Sequence, residues 1–301
     1  MNTLVLAIPV LNAERFLAET LESLNLQLSH LRWWLQDGGS TDRTLEIARR
    51  YARPGDTVTS EADGGQAAAL NSAMKQMGGE IVGFINGDDC LTPGAAARVL
   101  EYFAAHPEID LVYGSVEWMN ENSKAAGTHT GQIGSLEELL NIYDVWWRKR
   151  QWVQPEVFYR RSLWEKAGGF DPKYRLAFDY DFWVRCFLAG ARVGHLPEPL
   201  ARIRLHGGDK SSVSEQTADE IRAIVKERLG RRAPLRGSFR RQLRARLEYD
   251  MYANAKSDAG KTRRPSLAAE LLRHPYWLLA PEVRSQLGAS FRSRGKEAPK
   301  R

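Results

Sequence analysis

Ile81-Val82-Gly83-Phe84-Ile85-Asn86-Gly87-Asp88-Asp89 decides how this chain is read. The apolar run with its β-branched residues predicts a fully buried strand, central and parallel. It stops abruptly in an amide, a glycine and two adjacent carboxylates. In open α/β sheets, ligands sit beyond the carboxyl ends of the strands. Asp88 and Asp89 therefore suit a hard divalent cation, Mg²⁺ or Mn²⁺, which prefers oxygen ligands. A solvated turn leading into a helix fits the same residues, with Asp89 or Thr92 as N-cap and Pro93 at the first helical position.

Working outward, Leu4 to Val10 predicts a first strand that is apolar on both faces, with Pro9 near its end. Asn12 is expected to cap a helix whose apolar face is Phe16, Leu17, Thr20, Leu21 and Leu24. Leu31 to Gln36 predicts a second strand. It ends in Asp37-Gly38-Gly39-Ser40-Thr41-Asp42, where Ser40 or Thr41 caps the next helix. Thr57 to Ser60 is a short third strand, followed by Glu61-Ala62-Asp63-Gly64-Gly65-Gln66 and a helix from Ala67 to Met77. Singly, Asp37 reads as a turn residue and Asp42 as a first-turn helix charge. Three strand ends with a carboxylate beside glycine, at Asp37, Asp63 and Asp88, are harder to assign to turns. On one edge of a parallel sheet they line a pocket with negative charge, which calls for a cation or hydrogen-bond donors.

The composition sets the class. With 301 residues, 43% hydrophobic, 27% charged and a formal net charge of +6, the chain has the balance of a soluble globular protein with a sizeable core. Two cysteines, Cys90 and Cys186, make no disulfide framework and have no metal-ligand spacing, which favours a reducing compartment. The Leu4–Leu11 run is short, lacks a basic segment before it and is not expected to be a signal peptide. No apolar run is long enough to span a membrane.

Four spaced motifs, Ile8-Pro9-Val10-Leu11-Asn12-Ala13-Glu14, Gln36-Asp37-Gly38-Gly39-Ser40-Thr41-Asp42, Gly79-Glu80-Ile81-Val82 and Phe84-Ile85-Asn86-Gly87-Asp88-Asp89, resemble in order those of family 2 glycosyltransferases. The resemblance implies an α/β GT-A fold, a mainly parallel sheet flanked by helices, and inverting transfer from a nucleotide-diphosphate sugar. It also implies that Pro9, Asn12, Glu14, Asp37 and Asp63 surround the nucleoside, with Asp37 accepting from a base N–H. Asn86-Gly87-Asp88 stands where the family has Asp-x-Asp. Asp88 matches the carboxylate that reaches the metal. Asn86 keeps size and hydrogen bonding but gives up a charge, so Asn86→Asp is expected to tighten metal binding. Gln154 to Arg161 and Gly168 to Asp171 resemble the acceptor-side half. In Phe178-Asp179-Tyr180-Asp181-Phe182-Trp183, Asp179 matches the catalytic base, Phe178 replaces the usual Glu, and Asp181 is the nearest competitor. A helix N-cap is the plainer role for Asp179, and both can hold. Arg202-Ile203-Arg204-Leu205-His206 and Lys210-Ser211-Ser212 resemble the diphosphate side. His206 is expected on the diphosphate and, with Asp88, as a metal ligand.

Two regions stay open. Trp146, Trp147 and Trp152 alternate with Arg148, Lys149 and Arg150, either as an aromatic and cationic wall for a sugar or lipid headgroup or as a partly buried apolar patch. Residues 215–301 are helix-forming and rich in Arg, with Tyr276-Trp277-Leu278-Leu279 among basic residues. That pattern suits an anionic membrane surface, and it suits a helical appendage packed on the catalytic domain. No nucleic-acid recognition motif accompanies the arginines. The expected organisation is a catalytic domain at 1–214 and a basic helical region at 215–301. The expected function is non-processive, metal-dependent glycosyl transfer to a glycan or lipid-linked acceptor in cell-surface polysaccharide biosynthesis, in the cytoplasm or at the inner face of the membrane. A non-catalytic nucleotide-sugar-binding or scaffolding protein of the same fold is the alternative.

Overall fold

A computed structural model describes residues 3–62, 64–206, 214–229, 233–258 and 267–294. Chain order runs β1 (Leu4–Val10), α1 (Leu17–Asn25), β2 (Leu31–Asp37), α2 (Thr44–Tyr51), β3 (Thr57–Ser60), α3 (Gln66–Gln76), β4 (Ile81–Phe84) and β5 (Cys90–Leu91). It continues α4 (Ala95–Ala105), β6 (Leu111–Asn120), β7 (Ala125–Thr130), α5 (Leu136–Leu140), β8 (Val157–Arg160), α6 (Arg161–Ala167), α7 (Phe178–Leu188), β9 (Val193–Leu205) and α8 (Glu215–Arg228). The nine strands form one sheet in the order β3-β2-β1-β4-β8-β6-β9-β5, with β7 paired to β6.

The apolar sequence of β1 explains its place. It pairs in parallel with β2 on one side and β4 on the other, and helices cover its faces. Register sets where the strands stop: Val10 lies opposite Asp37, so β1 and β2 end level, while Phe84, the last residue of β4, lies opposite Ala7, three residues short of the end of β1. Beyond β4 the sheet turns mixed. β8 is antiparallel to β4 and β6, and β9 is parallel to β6. Two-residue β5, directly after Asp89, pairs antiparallel with β9, Cys90 opposite Arg202. That short ladder draws the end of β9 to the end of β4.

Several helix starts differ from expectation because loop–loop contacts take the capping groups. Asn12 is left-handed (φ 51°) and α1 begins only at Leu17. Neither Ser40 nor Thr41 caps α2, which begins at Thr44 after Arg43. Thr92 gives its hydroxyl proton to the Pro199 carbonyl (2.6 Å), and α4 begins at Ala95 after Gly94. The polar segment from Glu117 to Thr130 is the β6–β7 hairpin. Trp152 is core, 1% exposed, with rings of Tyr113, Trp183 and Phe187 around it, so the apolar-patch reading holds for this tryptophan.

The chain divides into two compact units, Met1–Ile221 and Arg222–Arg301. The second contains α9 (Gly237–Asp258), α10 (Leu267–Arg273), a 3-10 turn (Pro275–Leu279) and α11 (Pro281–Arg294). Its core is Ala245, Trp277, Ala280 and Val283, with Tyr249, Tyr252, Leu267, Leu271 and Tyr276 packed around it. Trp277 donates its indole N–H to Glu248 (3.2 Å), and Arg246 pairs with Glu282 (2.6 Å). Among the described residues no helix is long and apolar enough to cross a membrane.

Candidate active site

The loops after β1 and β2 hold each other. Asn12 donates its backbone N–H to the Ser40 hydroxyl (2.7 Å) and accepts from Thr41 N–H (2.9 Å). Ala13 N–H reaches the Thr44 hydroxyl (2.7 Å). Glu14 donates its N–H to Asp42 and accepts from Arg43 N–H, both at 3.1 Å. The reciprocity explains the left-handed Asn12: Asn tolerates that conformation better than most residues, and its side chain closes the loop. Pro9, partly exposed, faces Gln36 in the ladder just before this junction.

Asp37 is fully buried, and its carboxylate accepts from the N–H groups of Gly39 (3.1 Å) and Ser40 (3.1 Å) and from the hydroxyls of Ser40 and Ser60. It builds the turn at the floor of the site. Asp63 lies outside the described residues.

After β4 the chain enters Asn86-Gly87-Asp88-Asp89. A Cβ on Gly87 would stand 2.8 Å from Val10 Cγ1, so only glycine lets this turn press against β1. Asn86 accepts from Gln66 Nε2 (2.8 Å) and donates to Asp89 Oδ2 (3.2 Å). The amide thus bridges the start of α3 to a buried carboxylate. An aspartate at 86 would lose the donor and oppose Asp89 at hydrogen-bond distance, so the expected tightening by Asn86→Asp gives way to repulsion. Asp89 itself is 2% exposed and accepts from Arg204 N–H (3.1 Å). It is a structural anchor rather than a cation ligand or a cap.

Asp88 is the carboxylate of this turn left partly exposed. Its Oδ2 is 2.9 Å from Nε2 of His206, whose ring lies 5.2 Å from that of Phe16. The strap carrying His206 also carries Arg204, which is 1% exposed. Arg204 Nε donates to the Asp88 carbonyl (3.1 Å), Nη2 pairs with Glu19 (2.5 Å), Nη1 reaches the Ser123 hydroxyl (2.8 Å), and the guanidinium covers the Phe16 ring (4.5 Å). A buried charge is tolerated only when so fully engaged. Arg204 therefore locks the Asp88 main chain to α1 and the β6–β7 turn.

Among the described residues no group of three or more His, Cys, Asp or Glu side chains converges as a metal site. Asp88 and His206, a carboxylate and an imidazole in hydrogen-bond contact at 2.9 Å, are the two donors that would hold a divalent cation here and supply it with oxygen and nitrogen ligation.

Asp179 sits in the first turn of α7. Phe178 beside it packs on Phe84, the last residue of β4 (5.9 Å between rings), and on Phe170 (5.5 Å). An aromatic cluster thus surrounds position 178. Desolvation pushes the Asp179 pKa up to about 6, with a smaller upward push from Glu220 against the downward pull of the Tyr180 N–H. Glu220 in α8 accepts from the N–H groups of Arg175 (3.2 Å), Leu176 (2.9 Å) and Ala177 (2.9 Å), and so holds the loop that launches α7. Asp181, the expected competitor, is fully buried and paired with Arg185 (2.7 Å). Gln154 ties the acceptor-side segment to the site edge by donating to the Phe84 carbonyl (3.3 Å). Lys210, Ser211 and Ser212 lie outside the described residues.

In the sequence Arg204 stands only as part of a basic run, and Glu220 carries no motif at all. The signal for Arg204 was its spacing, two residues before His206 on a strand. Glu220 left no signal, being a surface-type residue in a helical pattern.

Residues 5–176 match the family described as Glycosyl transferase family 2. A PGL/p-HBAD biosynthesis glycosyltransferase of Mycobacterium tuberculosis is 33% identical over 185 residues, covering 60% of this chain and 68% of that one. The uncharacterized glycosyltransferase EpsJ of Bacillus subtilis is 30% identical over 210 residues, covering 64% and 58%. Among solved structures, S. aureus TarS in complex with UDP-GlcNAc superposes with a TM-score of 0.66 at 21% identity, covering 91% of this chain and 78% of that one. The mannosyltransferase PcManGT of Pyrobaculum calidifontis, in complex with GDP-Man and Mn²⁺, gives 0.51 at 20% identity, covering 99% and 76%. Together with the mixed sheet and its occupied edge, the family match over residues 5–176 means that this chain belongs to glycosyl transferase family 2 and is a glycosyltransferase.

Proposed function

We propose that the chain is an inverting, non-processive, metal-dependent glycosyltransferase that moves a sugar from a nucleotide-diphosphate donor to a hydroxyl of a glycan or lipid-linked acceptor. The observation that carries this reading is the Asp88–His206 pair, 2.9 Å apart, together with Asp179, raised to about 6. The pairing of one ligating site with one separate base suits single displacement, which inverts configuration. A divalent cation held by Asp88 and His206 would neutralise charge on the departing diphosphate. Asp179 takes the proton of the acceptor hydroxyl, and a pKa near 6 keeps it ionised yet basic near neutrality. The Asn12–Ser40 and Glu14–Arg43 contacts form the nucleoside wall, with Pro9 and Gly87 lining the approach.

Support for the donor class comes from TarS, crystallised with UDP-GlcNAc, and PcManGT, crystallised with GDP-Man and Mn²⁺. Names such as O-antigen biosynthesis protein RfbC of Myxococcus xanthus, 29% identical over 206 residues (66% of this chain, 16% of that protein), support a role in cell-surface polysaccharide or glycolipid synthesis. In this reading residues 1–214 are the catalytic domain, and 215–301 a basic helical region that works at the cytoplasmic face. Asn86 and Phe178, which favour a non-catalytic protein, have packing roles instead. The test is a thermal-shift screen of nucleotide sugars with Mn²⁺ or with chelator, followed by donor hydrolysis. One nucleotide-diphosphate sugar should stabilise the protein only with the cation. Stabilisation by none, or equally with chelator, would overturn the metal-dependent donor reading.

A further inference from the structure

Charge is distributed unevenly along this chain. Residues 222–301 contain 21 Lys and Arg against 7 Asp and Glu, whereas residues 1–221 contain 22 against 30. The C-terminal unit is therefore strongly cationic and the catalytic unit anionic. The same unit exposes large apolar side chains. Leu272 is 86% exposed, Leu278 44% and Leu279 40%. These leucines follow one another closely, at the end of α10 and in the 3-10 turn. Their neighbours Leu271, Tyr276 and Trp277 point into the unit's core, so the outward leucines are surplus to it. Arg273 beside them is 67% exposed, and Arg284 donates to the Leu278 carbonyl (2.6 Å).

We propose that the C-terminal unit docks on a bilayer containing anionic lipid, with Leu272, Leu278 and Leu279 entering the interface and Arg273 and Arg284 meeting the headgroups. The chemistry selects this partner. Exposed leucines in a cationic setting gain from leaving water for the acyl boundary, while arginines gain from the negative surface potential. A polyanion such as nucleic acid would satisfy the arginines and leave the leucines in water. Tyr276 and Trp277, the aromatic pair that first draws attention in the sequence, do not take part, because the core holds them.

This proposal is independent of the transferase reading, because an Asp179→Asn chain should bind vesicles as well as the parent. The full-length protein is sedimented with phosphatidylcholine vesicles, with or without phosphatidylglycerol. Binding should be at least about tenfold tighter to the anionic vesicles, and raising salt toward 0.5 M should weaken it by about tenfold as screening shortens. Leu272→Ser/Leu278→Ser/Leu279→Ser should lose about tenfold in vesicle affinity with donor hydrolysis unchanged, and Leu272→Ser alone, at an 86% exposed position, should lose part of that affinity with its melting temperature unchanged. Indifference to anionic vesicles at low salt would overturn the proposal. So would a triple variant that binds them like the parent, and a parent that prefers heparin or DNA to the vesicles would point to the polyanion instead.

Discussion

Asp88 follows the end of β4, and Asp179 opens the helix whose Phe178 packs on that end, yet the two are held in opposite ways. Asp88 follows a buried strand and is fixed by direct bonds, to His206 through its side chain and to Arg204 through its carbonyl. Asp179 opens a helix with its carboxylate among protein atoms, and the element that carries it is steadied from a distance by Glu220. In the proposed mechanism the first would need a fixed position, which its partners give, and the second a proton affinity, which burial gives.

The largest effect that separates the two comes from removing the base. Asp179→Asn should lower turnover by roughly two to four orders of magnitude while donor affinity, read by calorimetry, stays within a few-fold. Asp88→Ala should do the reverse, abolishing the Mn²⁺-dependent part of donor binding. If the two variants gave the same pattern, the division of labour would be wrong.

Arg204→Lys comes next. It keeps the charge but cannot span the Asp88 carbonyl, Glu19 and Ser123 together. The half-saturating Mn²⁺ concentration should rise by about ten- to a hundredfold, the usual cost of losing support behind a ligand, with kcat at saturating Mn²⁺ much less affected. A loss confined to kcat would place Arg204 with the base instead.

Acidity sharpens the contrast further. Turnover should fall as pH drops through about 6, where Asp179 takes up a proton. Glu220→Gln should move that midpoint downward, because it removes a neighbouring negative charge, and Asp181→Asn should leave it in place. The linked stability effect has the opposite sense. Folded Asp179 binds its proton more tightly than the unfolded chain does, so its ionisation costs stability above about pH 6, and that cost fades as pH falls towards 4. Asp179→Asn should therefore stabilise the protein by about 1 kcal/mol at pH 7.5, a figure reduced for partial exposure, and by little at pH 4. Chemical denaturation at both pH values measures this. Equal effects at the two would mean that the carboxylate is well solvated.

The smallest effect tests the amide. Asn86→Asp should weaken Mn²⁺-dependent donor binding by a few-fold, because the new carboxylate faces Asp89. Tighter binding would show that residue 86 turns towards the cation.

What could be read in advance follows the same division. Strands β1, β2 and β4 and the carboxylates at their ends are local features: an apolar run, then glycine and oxygen ligands. The helix starts were misplaced because Asn12, Ser40 and Thr92 bond across loops, and sequence shows a capping residue without showing its partner. Strands β5 and β9 escaped because one is two residues long and the other is interrupted by Pro197 and Pro199. With them went the reason why His206 meets Asp88, and the part played by Arg204. Glu220 lies 43 residues from the N–H group of Ala177, and no local pattern links them.

The bonds that fix Asp88 and Asp89 span 115 to 118 residues of chain. Closing so long a loop is slow and must precede any gain from it. During synthesis the first three strands can pair and bring the loops after β1 and β2 together long before residue 204 exists. The junction of the loops after β1 and β2 is thus an early structure and the Asp88–His206 contact a late one. A nascent chain halted before β9 has the Asp37 turn but no strap, so Asp88 stays without its His206 and Arg204 partners until almost the whole first unit has left the ribosome.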